Sequence, residues 1–126
     1  MKKLVINAKK SGFPIEIEGE SFWFDCSVES VERFQLKQVE LQETIDKLDG
    51  KEGTLKDNLK CIEQAYDSIL EKGAFKKLYK KISDIYAWIE AFFPLIEGIN
   101  ERINEFVSEQ SNTFTSITEE YLSKKQ

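Results

Sequence analysis

The sequence predicts a mainly α fold in which a short N-terminal β-hairpin packs on a bundle of three to five helices. Three observations predict it. PIEIEGESFWFD (Pro14–Asp25) alternates apolar and polar side chains around a glycine, the period-2 rhythm of a half-buried strand pair. From Ser27 onward the apolar residues recur every three or four positions, the period of a helix face. At 126 residues the chain has the length of one ordinary domain. The expected organisation is a single domain over 1–126, with a hairpin region at 1–26, a helical core at 27–110 and a mobile C-terminal tail at 111–126.

The hairpin is expected to turn at Gly19-Glu20 in a type II′ turn, with Ile17 facing Phe22 and Ile15 facing Phe24. That register puts Ile15, Ile17, Phe22 and Phe24 on one face and Glu16 with Trp23 on the other. A lone hairpin is marginal in water, so the apolar face should lie on a helix. KLVINA (Lys3–Ala8) reads as a third strand.

Ser27 is placed to cap the first helix, with Glu29 near the positive end of its dipole. Val28, Val31 and Phe34 open that helix at intervals of three, and Val31, Phe34, Leu41, Ile45 and Leu48 mark an apolar face over about twenty residues. Asp49-Gly50-Lys51-Glu52-Gly53 breaks it and reads as a linker; it has neither the order of a phosphate loop nor the ligand spacing of an EF-hand. Leu55, Leu59, Ile62, Tyr66 and Ile69 form the next helix, which ends at Gly73, a residue suited to a left-handed closing position. A short helix follows with Phe75, Leu78, Tyr79 and Ile82 on one side. Ser83 is read as the cap of the last long helix, patterned by Ile85, Ile89, Phe92, Ile96, Ile99, Ile103 and Phe106. Pro94 should kink or split it, with Gly98 a second weak point. Ser108 to Ser116 reads as a polar interruption, with a short helix start beyond it at Phe114, Ile117, Tyr121 and Leu122.

Composition narrows the function classes. The net charge of −5 disfavours a nucleic-acid backbone as partner, and the lysines at 76, 77, 80 and 81 read as a solvated helix face. No apolar run approaches a membrane span and no signal peptide follows the basic start, so the expected location is cytosolic. Cys26 and Cys61 read as reduced thiols. With no histidine, the commonest general base and metal ligand is missing. No glycine-rich phosphate cradle appears, and alternating Glu16 and Glu18 read as a solvated strand face rather than a glycosidase acid pair. The expectation is a protein that is not an enzyme and needs no metal or cofactor.

The aromatic residues are the informative excess. Trp88, Phe92, Phe93, Ile96 and Ile99 cover a wider arc than one packed seam requires. Either this helix is buried on two sides by its own domain, or one ridge binds another polypeptide, since aromatic anchors dominate interfaces. The heptad-like face of Val31, Phe34, Leu41, Ile45 and Leu48 is likewise either a self-association seam or an intramolecular core face.

The order of parts resembles the tail assembly chaperones of long-tailed phages of Gram-positive bacteria. The matching pieces are FWFDCS (Phe22–Ser27), the run CIEQAYDSILEKGAFKKLY (Cys61–Tyr79) and the following helix through Phe106. The chain departs from the family where Glu71-Lys72-Gly73 stands in place of the usual Gly-x-Gly before Ala-Phe. The resemblance implies a non-catalytic protein of the host cell cytoplasm, absent from the mature virion. Such proteins bind the tape measure protein, keep it soluble, help tail tube protein polymerise around it and form homo-oligomers. It also implies a second, longer product made by ribosomal frameshifting near the end of the short frame, for which Lys124 and Lys125 are compatible codon positions. The competing reading is a helical adaptor module that homo-oligomerises without chaperone activity.

Overall fold

A computed structural model describes the backbone at residues 1–49 and 55–125. It is mainly helical, as the sequence predicts, with an antiparallel hairpin of β1 (Gly12–Ile17) and β2 (Glu20–Asp25), followed by α1 (Val28–Asp49), α2 (Leu55–Ile69), α3 (Ala74–Lys81) and α4 (Ile85–Lys125). Asp49, read as the first residue of the linker, is the last of α1, while residues 50–53 and the side chain of Leu48 lie outside the described residues. The chain divides into two compact units, Met1–Ile85 and Tyr86–Gln126.

In the first unit the hairpin turns one position earlier than expected. Glu18 and Gly19 occupy the turn with φ of 48° and 81°, and Ile17 pairs with Glu20, Ile15 with Phe22 and Phe13 with Phe24. Two positive φ values in a two-residue loop match the right-handed twist of the strands, which a turn at Gly19-Glu20 was expected to do by another geometry. Each β1 residue thus faces a β2 residue two positions lower, and a two-residue shift leaves the faces unchanged. Phe22 and Phe24 are buried while Trp23 is 52% exposed. The shift also recruits Phe13, whose ring stacks on Phe24 with centroids 5.2 Å apart. Gly12 is required where it stands: a Cβ there would lie 2.3 Å from the Phe24 carbonyl oxygen and 2.7 Å from the Trp23 ring.

KLVINA forms no strand; residues 1–11 lack regular structure, and Leu4, Val5 and Ile6 are exposed. A continuous apolar run has no polar alternate to turn outward, so pairing it on a one-sided sheet leaves apolar area in water.

The hairpin is anchored on α1 by Phe24, whose ring meets Phe34 edge-on at 5.4 Å. Ser27 caps α1 as expected, its Oγ accepting from the Ser30 N–H at 3.3 Å. Asp25 adds a second layer: its carboxylate accepts from the Ser27 N–H (2.9 Å) and the Ser30 hydroxyl (3.1 Å). The Ser27 N–H foremost, then the Ser30 hydroxyl, hold the Asp25 carboxyl below the usual carboxylate range. Val28 does not share the face of Val31 and Phe34; it is exposed, because six residues advance a helix by about one and two-thirds turns and leave Val28 roughly 120° from Phe34.

Gly73 takes the left-handed conformation, φ 86°, between α2 and α3. Asp67, in the last turn of α2, reaches across this corner to accept from the N–H groups of Gly73 (3.1 Å) and Phe75 (2.9 Å). Phe75 then packs between Tyr66 and Tyr79, each 5.5 Å away by ring centroid. Burial pushes the Tyr66 phenol far above its ordinary value, so it stays neutral. Ser83 does not cap α4: its hydroxyl donates to the Tyr79 carbonyl at 2.8 Å and closes α3 instead. The lysines at 76, 77, 80 and 81 are exposed, and two pair loosely with Glu71 and Glu20.

The second unit is α4 from Tyr86 onward. Neither Pro94 nor the polar stretch from Ser108 divides it; the helix runs 41 residues to Lys125. Pro94 forfeits one backbone bond, to the Glu90 carbonyl, and the turns on either side continue. The tail expected at 111–126 is helical through Lys125.

Candidate functional site

The residues proposed for partner contact divide sharply. Trp88, Phe92, Ile96 and Ile99 are buried, and so is Ile103; of the five candidates only Phe93 is half-exposed. The spacing of four, four, three and four through Trp88, Phe92, Ile96, Ile99 and Ile103 is a single helix stripe, so the wide arc read from sequence is one buried stripe plus a different, outer one. The outer stripe runs through Tyr86 (67% exposed), Phe93 and Val107 (54% exposed), at multiples of seven residues. Seven residues make nearly two turns, so these side chains follow one side of α4 with a slow drift. Tyr86 and Val107 were not picked out by sequence reasoning; the heptad interval from Phe93 was the available signal.

The proposed self-association face is in part buried within the chain. Phe34 and Ile45 are buried, Val31 and Leu41 half-buried, and Leu48 falls outside the described side chains. What α1 exposes is a different set, Val28, Leu36 and Val39.

The first unit also carries a groove of about 280 Å³ that sequence reasoning missed. Its walls are β2, α1 and the end of α2, its floor Phe24, Phe34, Leu41, Ile69 and Leu70, and its rim Trp23, Arg33 and Lys37. A second hollow of about 220 Å³ continues it between α1 and α2, sharing Lys37, Leu41 and Ser68 and ending near Glu40 and Thr44. Arg33 and Lys37 stand one turn apart on α1 and are exposed. Asp25, the acid at this end of the groove, is engaged by Ser27 and Ser30.

Among the described residues no group of three or more His, Cys, Asp or Glu side chains could hold a metal ion. Among them too, no helix is long and apolar enough to cross a membrane. Cys26 is buried and Cys61 half-buried, both as free thiols; burial first, and the Asp25 charge second, push the Cys26 thiol up.

The first unit is thus a hairpin on a helix pair that shares a groove, and the second a long helix with an outer apolar stripe. The chain belongs to DUF6673, a family of unknown function whose pattern matches residues 18–126. No curated protein and no solved structure matches it.

Proposed function

We propose that this protein is a tail assembly chaperone of a long-tailed phage: a non-catalytic module that binds the tape measure protein, keeps it soluble and assists polymerisation of the tail tube protein around it. The order of hairpin, capped helix, Gly-Ala-Phe corner and long aromatic helix supports the reading. The observation that carries it is the outer stripe of α4. Tyr86, Phe93 and Val107 spread exposed apolar and aromatic surface over about 30 Å of helix. Apolar side chains repeated along one side of a helix suit a partner that is itself apolar and elongated. A tape measure protein, a long helical chain with apolar faces, is an occupant of that shape.

The test is co-expression with tape measure fragments. The chaperone raises their soluble yield and co-purifies with them. Tyr86→Ser with Val107→Ser weakens capture while leaving thermal unfolding nearly unchanged, since both side chains are exposed. No gain in soluble yield and no co-purification across a tiling set of fragments would leave the adaptor reading, which the exposed Val28, Leu36 and Val39 of α1 favour.

A further inference from the structure

We infer that the hollow between α2 and α3 binds an acidic segment of a partner protein, which inserts one large apolar side chain and sets carboxylates against Lys76 and Lys80. This goes beyond the client reading. The hollow belongs to the first unit and the outer stripe of α4 to the second, so either assignment can fail without the other.

Three pairs of residues, each four positions apart, line the hollow: Leu59 and Glu63 on α2, then Phe75 with Tyr79 and Lys76 with Lys80 on α3. Residues four apart are neighbours on a helix surface, so each pair makes one strip along its helix. Phe75 is buried and held between Tyr66 and Tyr79, while Leu59 and Tyr79 are half-buried. Asp67 ties the start of α3 to α2 through the Gly73 and Phe75 N–H groups, so the cleft is shaped before anything enters it. Its volume is about 290 Å³, just under the ~300 Å³ at which pockets for drug-sized molecules begin. An apolar cup of that size suits a single anchoring side chain of a polypeptide.

The charges beside the cup specify the rest of the segment. Of the four lysines of α3, Lys77 pairs with Glu71 at 3.7 Å and Lys81 with Glu20 at 3.8 Å. Lys76 and Lys80, the two that line the hollow, are exposed and have no ion pair among the described residues. Two uncompensated cations one turn apart, on a chain whose net charge is −5, complement carboxylates flanking the anchor. Glu63 stands on the α2 side, so the acidic residues of the segment lie toward α3. An anionic bilayer offers the same sign of charge, but membrane-binding clusters hold about four to eight basic residues, and here there are two.

Labelled model peptides test this. One carries a single Trp flanked by glutamates, a second the same Trp flanked by lysines, and a third Ala in place of Trp between glutamates. Fluorescence anisotropy should show binding of the first, weakened by salt, and roughly tenfold or more weaker binding of the other two. Amide chemical shifts of the isotope-labelled protein should move at Phe75, Lys76, Tyr79 and Lys80. Lys76→Glu with Lys80→Glu should weaken the first peptide by roughly tenfold or more and strengthen the second. Circular dichroism checks the fold of this variant, and Lys76→Gln with Lys80→Gln supplies the same loss without reversing charge near the end of α3. No binding of the first peptide at millimolar concentration overturns the inference. So does equal binding of all three, or binding that both lysine variants leave unchanged. Shifts of the same amides on dilution of the protein alone would assign the hollow to a second copy and overturn it too. Pelleting with phosphatidylserine vesicles that is lost in the lysine variants, without peptide binding, would assign the lysines to a membrane instead.

Discussion

Removing the Asp67 carboxylate should loosen the corner between α2 and α3 far more than an ordinary half-buried aspartate would. Its two oxygens accept from the N–H groups of Gly73 and Phe75, at 3.1 and 2.9 Å. Gly73 is the residue before α3 and has no side chain to cap it, so Asp67 supplies from the previous helix what a Ser or Asp cap would supply locally. A hydrogen bond to a charged group contributes about 1.5–3 kcal/mol. The two share one carboxylate, and the freed N–H groups can reach water, so the sum belongs near the low end of each. Asp67→Ala should therefore cost about 2–3 kcal/mol, including the favourable charge at the α3 N-terminus. Asp67→Asn keeps an acceptor for one N–H and turns an amide donor toward the other, for a cost of about 1–1.5 kcal/mol.

Urea unfolding followed by far-UV circular dichroism measures both, with the slope held constant across variants. Amide exchange supplies the local reading: Gly73 and Phe75 should lose protection in Asp67→Ala while the β1–β2 amides keep theirs. A loss below about 0.5 kcal/mol, the scale of an unremarkable surface change, would refute the capping account. Equal losses for Ala and Asn would refute the division between the two bonds.

Phe24→Ala removes a buried ring that contacts Phe13 and Phe34, and should cost about 3–4 kcal/mol by denaturant unfolding. Because the folded Asp25 pKa is lowered, its contribution is present above the unfolded value of about 4 and is lost as pH falls through the folded value. Wild type should thus lead Asp25→Asn at neutral pH, with the gap in unfolding midpoint closing below about pH 4. A thiol reagent at pH 8 should label half-buried Cys61 well before buried Cys26, as read by mass spectrometry after peptide cleavage. In dilute protein, amides over 108–125 should exchange much faster than those over 88–103, because no described side chain of α4 beyond Ile103 is buried.

The parts legible in the sequence were those set by short-range pattern. Alternation put Phe22 and Phe24 inside and Trp23 outside even though the turn was misplaced by one position, because pairing partners moved by two and the faces did not change. Ser27 and Gly73 were readable because a cap hydroxyl and a left-handed backbone are local requirements. Asp67 was not, since its partners lie six and eight residues away across a corner. Ser83 misled because a serine before a helix is also a serine after one, and here it bonds backward to Tyr79. The client candidates misled for a related reason. Aromatic density says that a helix has work on more than one side, but four of the five proposed side chains belong to the buried side.

The continuity of α4 carries the most weight for function. Ser, Thr and Asn over 108–116 are weak helix formers, and Pro94 removes a backbone bond, so local propensity argues for a break. Propensity is a weak prior, however, and a helix started on a strongly buried stripe extends at the cost of elongation alone, without a second nucleation. Trp88 to Ile103 is such a start. The described side chains beyond it inherit helical geometry without being buried, which leaves Ile117 and Leu122 exposed. A polar composition over 108–116 then serves solubility, spacing the apolar end of the helix from the buried part without inviting collapse onto it. A segment of that design has no buried side chain among its described residues to hold it, so its helicity should be lost on warming before that of residues 88–103.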